Sequence, residues 1–288
     1  MILIDGNELA DEIKEKLRIE VSELKQNGIH PKLTVILVGD DFASKKYVNN
    51  KKMACEYVGI EQGMIELGVN ATEEELIMVI RKLNSDESVH GILIQLPLPK
   101  HIDVYKIINI INPNKDVDGF HPENVGKLSI GCEGVIPCTP NGIMKLLEKY
   151  DIDVRGKNCV VIGKSDIVGK PISMLLLRES ATVTVCHIET RDISNITKQA
   201  DVLIVATGNP GLITADMIKP GVVIIDVGIN RNEYDEVCGD VDFEGCKNKA
   251  SYITPVPGGV GPMTIAMLME NCVKAARGLE NKGEKKYV

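Results

Sequence analysis

A chain of 288 residues, 44% hydrophobic and 26% charged, is long enough for two domains and apolar enough to bury a core in each. Its 33 Lys and Arg against 41 Asp and Glu leave a net charge of −8, which excludes a general polyanion binder and so argues against nucleic acid as a partner. With no Trp and 3% aromatic residues, base-stacking platforms are scarce and the core falls to Ile, Val, Leu and Met. The start, Met1-Ile-Leu-Ile-Asp5, lacks a basic segment leading into a long apolar run. No apolar stretch reaches the roughly 20 residues that span a bilayer, so a cytoplasmic protein with no membrane partner is expected. The eight cysteines include no CxxC pair, and several lie in apolar stretches such as Asn158-Cys-Val-Val-Ile162. That is the pattern of reduced, buried thiols rather than of a metal site.

In chain order, Leu9, Ile13, Leu17, Val21 and Leu24 recur at helical spacing, and Gly28 stands where a left-handed C-terminal residue belongs. The β-rich run Leu33 to Val38 closes on Gly39-Asp-Asp41, a buried strand entering a loop. A second helix is predicted from near Ser44 to before Gly59. Thr72-Glu-Glu-Glu75 is a capping box for a helix through Leu76, Ile80 and Leu83. Val89 to Gln95 is another buried strand, stopped by Leu96-Pro-Leu-Pro99. Such alternation marks a parallel α/β sheet. The Gly-, Pro- and Asn-rich stretch 112–140 has little periodicity and is expected to be a loop at a domain boundary. Thr139 before Pro140 predicts an N-cap and first residue for a helix over Asn141 to Tyr150. Alternation then restarts, with strands at 158–162, 182–186, 202–206 and 222–227 and a helix ending near Arg178. A last helix, Thr264 to Leu279, precedes a charged tail.

The loop Gly163-Lys164-Ser165-Asp-Ile-Val-Gly169 joins a strand to a helix, the context in which backbone N–H groups hold a pyrophosphate. Ser165 replaces the second glycine of the usual fingerprint and Gly169 closes it one position late, so a plain tight turn stays open beside cofactor binding. The next strand ends in His187-Ile188-Glu189-Thr-Arg191, where such folds read the ribose. Glu189 suits the free 2′-hydroxyl of NAD, whereas Lys164 and Arg191 suit the 2′-phosphate of NADP; solvated surface charges are the alternative.

On the second helix Ser44, Tyr47, Lys51 and Cys55 share one face, which points a Tyr and a Lys at one place. Lys45, Lys46 and Lys52 make this segment basic, and a merely solvated face would explain it too. A lysine that exchanges protons near neutral pH needs burial or a cationic neighbour, which Lys52 supplies. Gln95 ends a strand at the edge where open α/β sheets place ligands, although a buried amide there also serves structure. Asp116-Val-Asp118-Gly-Phe-His121 sets two carboxylates, a glycine and a histidine in one loop, part of which turn chemistry explains. Tyr252 to Thr264 is a proline-glycine loop whose glycines permit close approach of a ligand and whose Thr264 suits a helix cap.

Several runs resemble the bifunctional methylenetetrahydrofolate dehydrogenase/methenyltetrahydrofolate cyclohydrolase family, in family order and over almost the whole chain. They are Tyr47-Val-x-x-Lys51-x-x-Ala-Cys, Gly91-Ile-Leu-Ile-Gln95-Leu-Pro-Leu-Pro99, Lys115-Asp-Val-Asp118-Gly-Phe-His-Pro122 and Pro137-Cys-Thr-Pro140, then Gly163-x-Ser165-x-Ile-Val-Gly169, Ile225-Asp-Val-Gly-Ile-Asn-Arg231 and Pro255-Val-Pro-Gly-Gly-Val-Gly-Pro-Met-Thr264. The resemblance implies two α/β domains flanking a cleft, in a cytoplasmic homodimer of one-carbon metabolism and purine biosynthesis. A catalytic folate-binding domain would cover 1–138 plus 265–288, with the C-terminal helix returning to it, and a Rossmann-like dinucleotide-binding domain would cover 139–264. The implied substrates are tetrahydrofolate derivatives: 5,10-methylenetetrahydrofolate is oxidised by NADP, with NAD possible, and the methenyl cation is hydrolysed to 10-formyltetrahydrofolate.

By the same resemblance Lys51 is the catalytic lysine, Tyr47 packs on the pterin, Gln95 hydrogen-bonds the lysine and Asp118 anchors the amino-pyrimidine edge. Leu96, Pro257 and Gly258 fall on the substrate, and Gly163, Lys164, Ser165 and Ile229 on the cofactor, which Ile188, Glu189 and Arg191 join by their place at the ribose-reading strand end. Many relatives carry a small hydroxyl residue and a basic residue where this chain has Ile188 and Glu189. Hydride transfer needs chiefly two rings held face to face, so the lack of a catalytic histidine is no objection. Hydration of a cation needs proton transfer, a task for Lys51. An NAD-dependent or single-activity homologue is the alternative, and a non-catalytic dinucleotide sensor would need only the cofactor loop.

Overall fold

The computed structural model describes residues 1–280, apart from the side chains of residues 42–46 and 279–280. The side chains of Ser44, Lys45 and Lys46 and the charged tail beyond residue 280 therefore lie outside the described residues. The chain runs β1 (Ile2–Leu3), α1 (Gly6–Gln26), β2 (Lys32–Val38), α2 (Phe42–Val58), β3 (Glu61–Leu67), α3 (Glu73–Ser85), β4 (Gly91–Ile94), α4 (Val104–Ile110) and α5 (Pro122–Ile130). It continues through α6 (Cys138–Lys149), β5 (Asn158–Ile162), α7 (Gly169–Arg178), β6 (Thr182–Cys186), α8 (Ile193–Thr197), β7 (Val202–Val205) and β8 (Val223–Asp226). The hairpin β9 (Asn230–Arg231) and β10 (Val237–Cys238), then α9 (Phe243–Cys246), β11 (Tyr252–Ile253) and α10 (Val260–Glu280) complete it.

Two compact units form. One comprises Met1–Asp11, Leu128–Cys132 and Thr139–Thr264; the other comprises Glu12–Lys127, Glu133–Cys138 and the chain from Ile265 on. The first eleven residues, expected with the rest of 1–138, thus belong with 139–264. There β1 pairs in parallel with β11, Ile2 opposite Tyr252, and the Asp5 N–H donates to the Tyr150 hydroxyl. A two-residue strand carries no periodicity from which to read this.

In the unit of 12–127, the parallel sheet runs β3-β2-β4, with β2 buried along all but its first residue. β3 has no counterpart among the predicted elements, because as the edge strand it keeps exposed charge, Glu61 and Glu66, among its apolar residues. α3 opens on the predicted capping box: the Glu75 N–H donates to the Thr72 hydroxyl at 3.2 Å and Thr72 N–H to the Glu75 carboxylate at 2.8 Å. Neither α4 nor α5 was legible in the pattern. α4 is fixed by Asp103, which accepts from the Tyr105 and Lys106 N–H groups, and α5 falls inside the stretch expected to be loop. Asn271 of α10 is buried and donates to the Val117 and Ile136 carbonyls, at 2.9 and 3.0 Å.

The other unit holds a six-stranded parallel sheet in the order β1-β11-β8-β7-β5-β6. The chain moves from β5 outward to β6 and then crosses to β7, so strand order reverses at β5, the point where such sheets open a ligand crevice. Two predicted caps are corrected. α6 begins at Cys138, so Thr139 lies within its first turn, and α10 begins at Val260, so Thr264 lies a turn inside it. Their hydroxyls meet each other at 2.9 Å, a tertiary pairing that overrides local capping preference. All eight cysteines are free; six are buried, whereas Cys132 is exposed and Cys238 half-buried, against the expected burial. Among the described residues no helix is long and apolar enough to cross a membrane.

Candidate active site

Lys51 sits on the inward face of α2. Val48, Ala54, Cys55 and Val58, at spacings of three, four and seven from it, are buried, and the lysine occupies a place in that apolar stripe. Its Nζ donates to Gln95 Oε1 at 2.9 Å. Gln95 follows β4, tied to β2 through its N–H to the Ile36 carbonyl, and the residue is 8% exposed. Gln95 Nε2 donates to the Leu96 carbonyl at 2.8 Å, which fixes the amide so that oxygen, not nitrogen, faces the lysine. Tyr47 lies one turn before Lys51 and is 41% exposed, leaving its ring free to cover a ligand. Leu96 lines a pocket with Ile94, Ile111, Asp116, Asp118 and Phe120, an apolar floor beside two carboxylates. The peptide bonds Leu96–Pro97 and Val256–Pro257 are cis.

Burial pushes the Asp118 carboxyl up to about 6; Lys51 opposes the rise and Asp116 adds to it. Asp116 holds this loop from within. It is 2% exposed and accepts from the Gly119 N–H, the His121 N–H and the Asn124 side-chain amide. Gly119 turns the chain at φ +75°, where a Cβ would stand 2.8 Å from the Pro137 nitrogen. Tyr47, Lys51, Gln95, Leu96 and Asp118 therefore all belong to one unit, and Lys51, Gln95 and Asp118 form one polar cluster.

The predicted cofactor residues all lie at the carboxyl edge of the six-stranded sheet. Gly163 follows β5 at φ +121°, and a Cβ there would stand 2.2 Å from the Ala206 carbonyl oxygen, at the crevice between the β5 and β7 loops. A Cβ on Gly169 would lie 2.0 Å from the Gly163 carbonyl oxygen, so the loop closes only with glycine at both ends. The Ser165 hydroxyl accepts from the Val168 and Gly169 N–H groups, at 3.2 and 3.3 Å, and caps α7 in place of its N-cap residue Val168. Lys164, Ser165, Glu189 and Arg191 are exposed, Ile188 is 94% exposed, and Ile229, after β8, is half-exposed. Gly163 N–H donates to the Cys186 carbonyl, which ties the loop to the end of β6 that leads into 187–191. Such a cradle, short of side chains and open at a helix N-terminus, fits a dinucleotide pyrophosphate. Pro257 and Gly258 lie in this same unit, where the Gly6 N–H donates to the Gly258 carbonyl at 2.9 Å.

Residues 4–118 match the tetrahydrofolate dehydrogenase/cyclohydrolase catalytic domain, and residues 137–280 match the NAD(P)-binding domain of the same enzymes. The chain belongs to the tetrahydrofolate dehydrogenase/cyclohydrolase family. The bifunctional protein FolD of Agathobacter rectalis is 58% identical to it over 275 residues, 96% of this chain and 99% of that one. The crystal structure of the bifunctional enzyme FolD from Campylobacter jejuni superposes with a TM-score of 0.96 at 55% identity, covering 97% and 99% of the two chains. That of the Trypanosoma brucei enzyme, complexed with NADP cofactor and inhibitor, gives 0.93 at 38% identity, over 97% and 98%.

Within this tetrahydrofolate dehydrogenase/cyclohydrolase chain, four polar residues outside the predicted set shape the two sites. Asp116 and Asn271 hold the loop that carries Asp118, the latter through the Val117 carbonyl. Asp226 and Asp240 are buried beneath the cofactor edge; burial pushes the Asp226 carboxyl up to about 6, against three backbone N–H groups that lower it. The available signal was a polar residue set against apolar neighbours, Asp226 after Val223-Ile-Ile and Asn271 before Cys272-Val273.

Proposed function

We propose that this chain oxidises 5,10-methylenetetrahydrofolate to the methenyl cation with NADP and hydrolyses the cation to 10-formyltetrahydrofolate, as a cytoplasmic homodimer. The observation that carries the reading is the Lys51–Gln95–Leu96 hydrogen-bond chain beside the Asp118 carboxyl. Bound at the Gly163 cradle, the dinucleotide supplies the hydride acceptor, and Lys164 and Ser165 stand at the same loop to hold it. Hydrolysis is left to the protein. Water adding to the methenyl carbon loses a proton, and opening of the ring puts a proton on nitrogen. One amine that takes the first proton and returns the second serves both steps. Gln95 accepts one N–H of Lys51 and so aims the nitrogen while leaving its other positions to the reacting atoms.

NADP is favoured by the exposed cations Lys164 and Arg191, and NAD by the exposed carboxylate Glu189. Dehydrogenase kcat/KM measured with each cofactor, alongside methenyl hydrolysis measured separately, tests the whole reading. A higher value with NADP and turnover in both assays are expected; a strong NAD preference overturns the cofactor assignment, and loss of either activity leaves a single-function homologue.

Asp118 supplies a pH signature. As a carboxylate it offers two acceptor oxygens to an amino-pyrimidine edge; as a neutral acid it turns one of them into an O–H donor and loses the paired contact. With the group near 6, kcat/KM for the folate should fall as pH drops from 7 toward 5, while the Asp118→Asn enzyme should bind folate weakly and lose this limb. The stability effect has the opposite sign. The folded value is raised above the ordinary carboxylate value of 3.8, so stability is greatest with the acid protonated and declines as pH rises through about 6. Asp118→Asn should therefore raise Tm at pH 8. A wild-type acid limb retained in the variant would show that another group carries it.

A further inference from the structure

We infer that Asp226 and Asp240 are positioning residues for the dinucleotide, holding the loops after β7 and β8 in their binding shape; the inference rests on the cofactor reading above. Asp226 ends β8 at 4% exposure, and Asp240 is fully buried. Asp226 Oδ1 accepts from the N–H groups of Gly228 and Asp240, and its Oδ2 from the Val241 N–H, each at 3.0 Å. Asp240 Oδ2 accepts from the Thr207 N–H at 2.6 Å and from the Gly208 N–H and Thr207 hydroxyl at 3.0 Å, while Oδ1 accepts from the Asn230 amide at 2.8 Å.

The donors come from three separate segments, after β7, after β8 and after β10, and all but Asn230, which opens β9, lie outside the strands and helices, so the two carboxylates tie these segments together. The fit leaves no spare volume. A Cβ on Gly228 would stand 2.3 Å from Asp240 Oδ1, and one on Gly239 would stand 1.9 Å from Asp226 Oδ2. Two consequences reach the cofactor edge. Ile229 stands half-exposed between Gly228, held by Asp226, and Asn230, held by Asp240. Thr207 and Gly208 follow Ala206, whose carbonyl faces Gly163 across the crevice. Removing the Asp240 carboxylate would release both flanks of the site, whereas the folate residues Lys51, Gln95 and Asp118 lie in the other unit.

Titration calorimetry with NADP and methenyl hydrolysis assayed without dinucleotide read the two sides independently. Asp240→Ala should weaken NADP binding about tenfold or more while hydrolysis stays at the wild-type rate. Asp240→Asn should restore most of the binding, because its amide oxygen still accepts from Thr207 and Gly208 and its NH2 can face a flipped Asn230. Should Asp240→Ala fail to fold, the exposed Thr207→Val, which removes one hydroxyl donor at constant shape, should still weaken NADP binding about threefold. Wild-type NADP affinity in a folded Asp240→Ala or in Thr207→Val overturns the inference, as does parallel loss of binding and hydrolysis. A wild-type protein that binds no NADP overturns the cofactor reading beneath it instead.

Discussion

Lys51→Met should lower the rate of methenyl hydrolysis by roughly 100- to 10,000-fold, the usual worth of a positioned proton-transfer group, and leave dinucleotide affinity unchanged. Methionine keeps the length and apolar stem of lysine, so the inward stripe of α2 remains filled, but Gln95 Oε1 loses the donor that it accepts from at 2.9 Å. A second substitution separates charge from proton exchange. Lys51→Arg keeps a cation and a donor for Gln95, yet a guanidinium does not give up its proton in a protein. If Lys51 moves protons, the arginine enzyme should be as inactive in hydrolysis as the methionine one. If it only steadies negative charge, the arginine enzyme should recover. Normal hydrolysis by Lys51→Met sinks the assignment.

Gly163→Ala should abolish measurable dinucleotide binding. The added Cβ would meet the Ala206 carbonyl oxygen at 2.2 Å, and that oxygen belongs to backbone, which cannot rotate aside as a flexible side chain can. The φ of +121° adds backbone strain of about 1–3 kcal/mol for any residue with a Cβ. Relief requires the β5 and β7 loops to separate, and the crevice between them is the binding site. The control is Gly211→Ala. It also has a positive φ, +62°, but its Cβ would meet nothing within 4 Å, so it should lower Tm slightly and leave affinity alone. Calorimetry with NADP checks both variants, and a Gly163→Ala protein that binds as the wild type does would remove the loop from the cofactor site.

What the sequence disclosed depended on how local the determining interaction was. The first helix, the Thr72 capping box and the strands at 158–162 and 182–186 were readable because a spacing or a cap within a few residues decides them. β1 and β11 were not, since each is two residues long and exists through pairing across some 250 residues of chain. α4 and α5 were missed because they are only seven and nine residues long, too short for a clear helical period, and the surrounding prolines and glycines read as loop. In the site, Lys51 and Gln95 were legible as residue types at the right ends of elements, but their contact spans 44 positions and no pattern reports it. The caps expected from Thr139 and Thr264 were overridden by a bond between the two hydroxyls, a competition settled only in three dimensions.

The parallel pairing of β1 with β11 bears on how this chain can be divided. A fragment beginning at Thr139 would carry the Gly163 cradle and nearly the whole dinucleotide sheet, yet it would leave Tyr252–Ile253 as a bare edge and the Tyr150 hydroxyl without the Asp5 N–H. A bare edge strand is a template for pairing with another chain. A fragment ending at Cys138 would lack Asn271, whose amide secures the loop bearing Asp118. Each half thus borrows its closing piece from the far terminus of the polypeptide. Genetic fission near residue 138 should therefore destabilise both products at once.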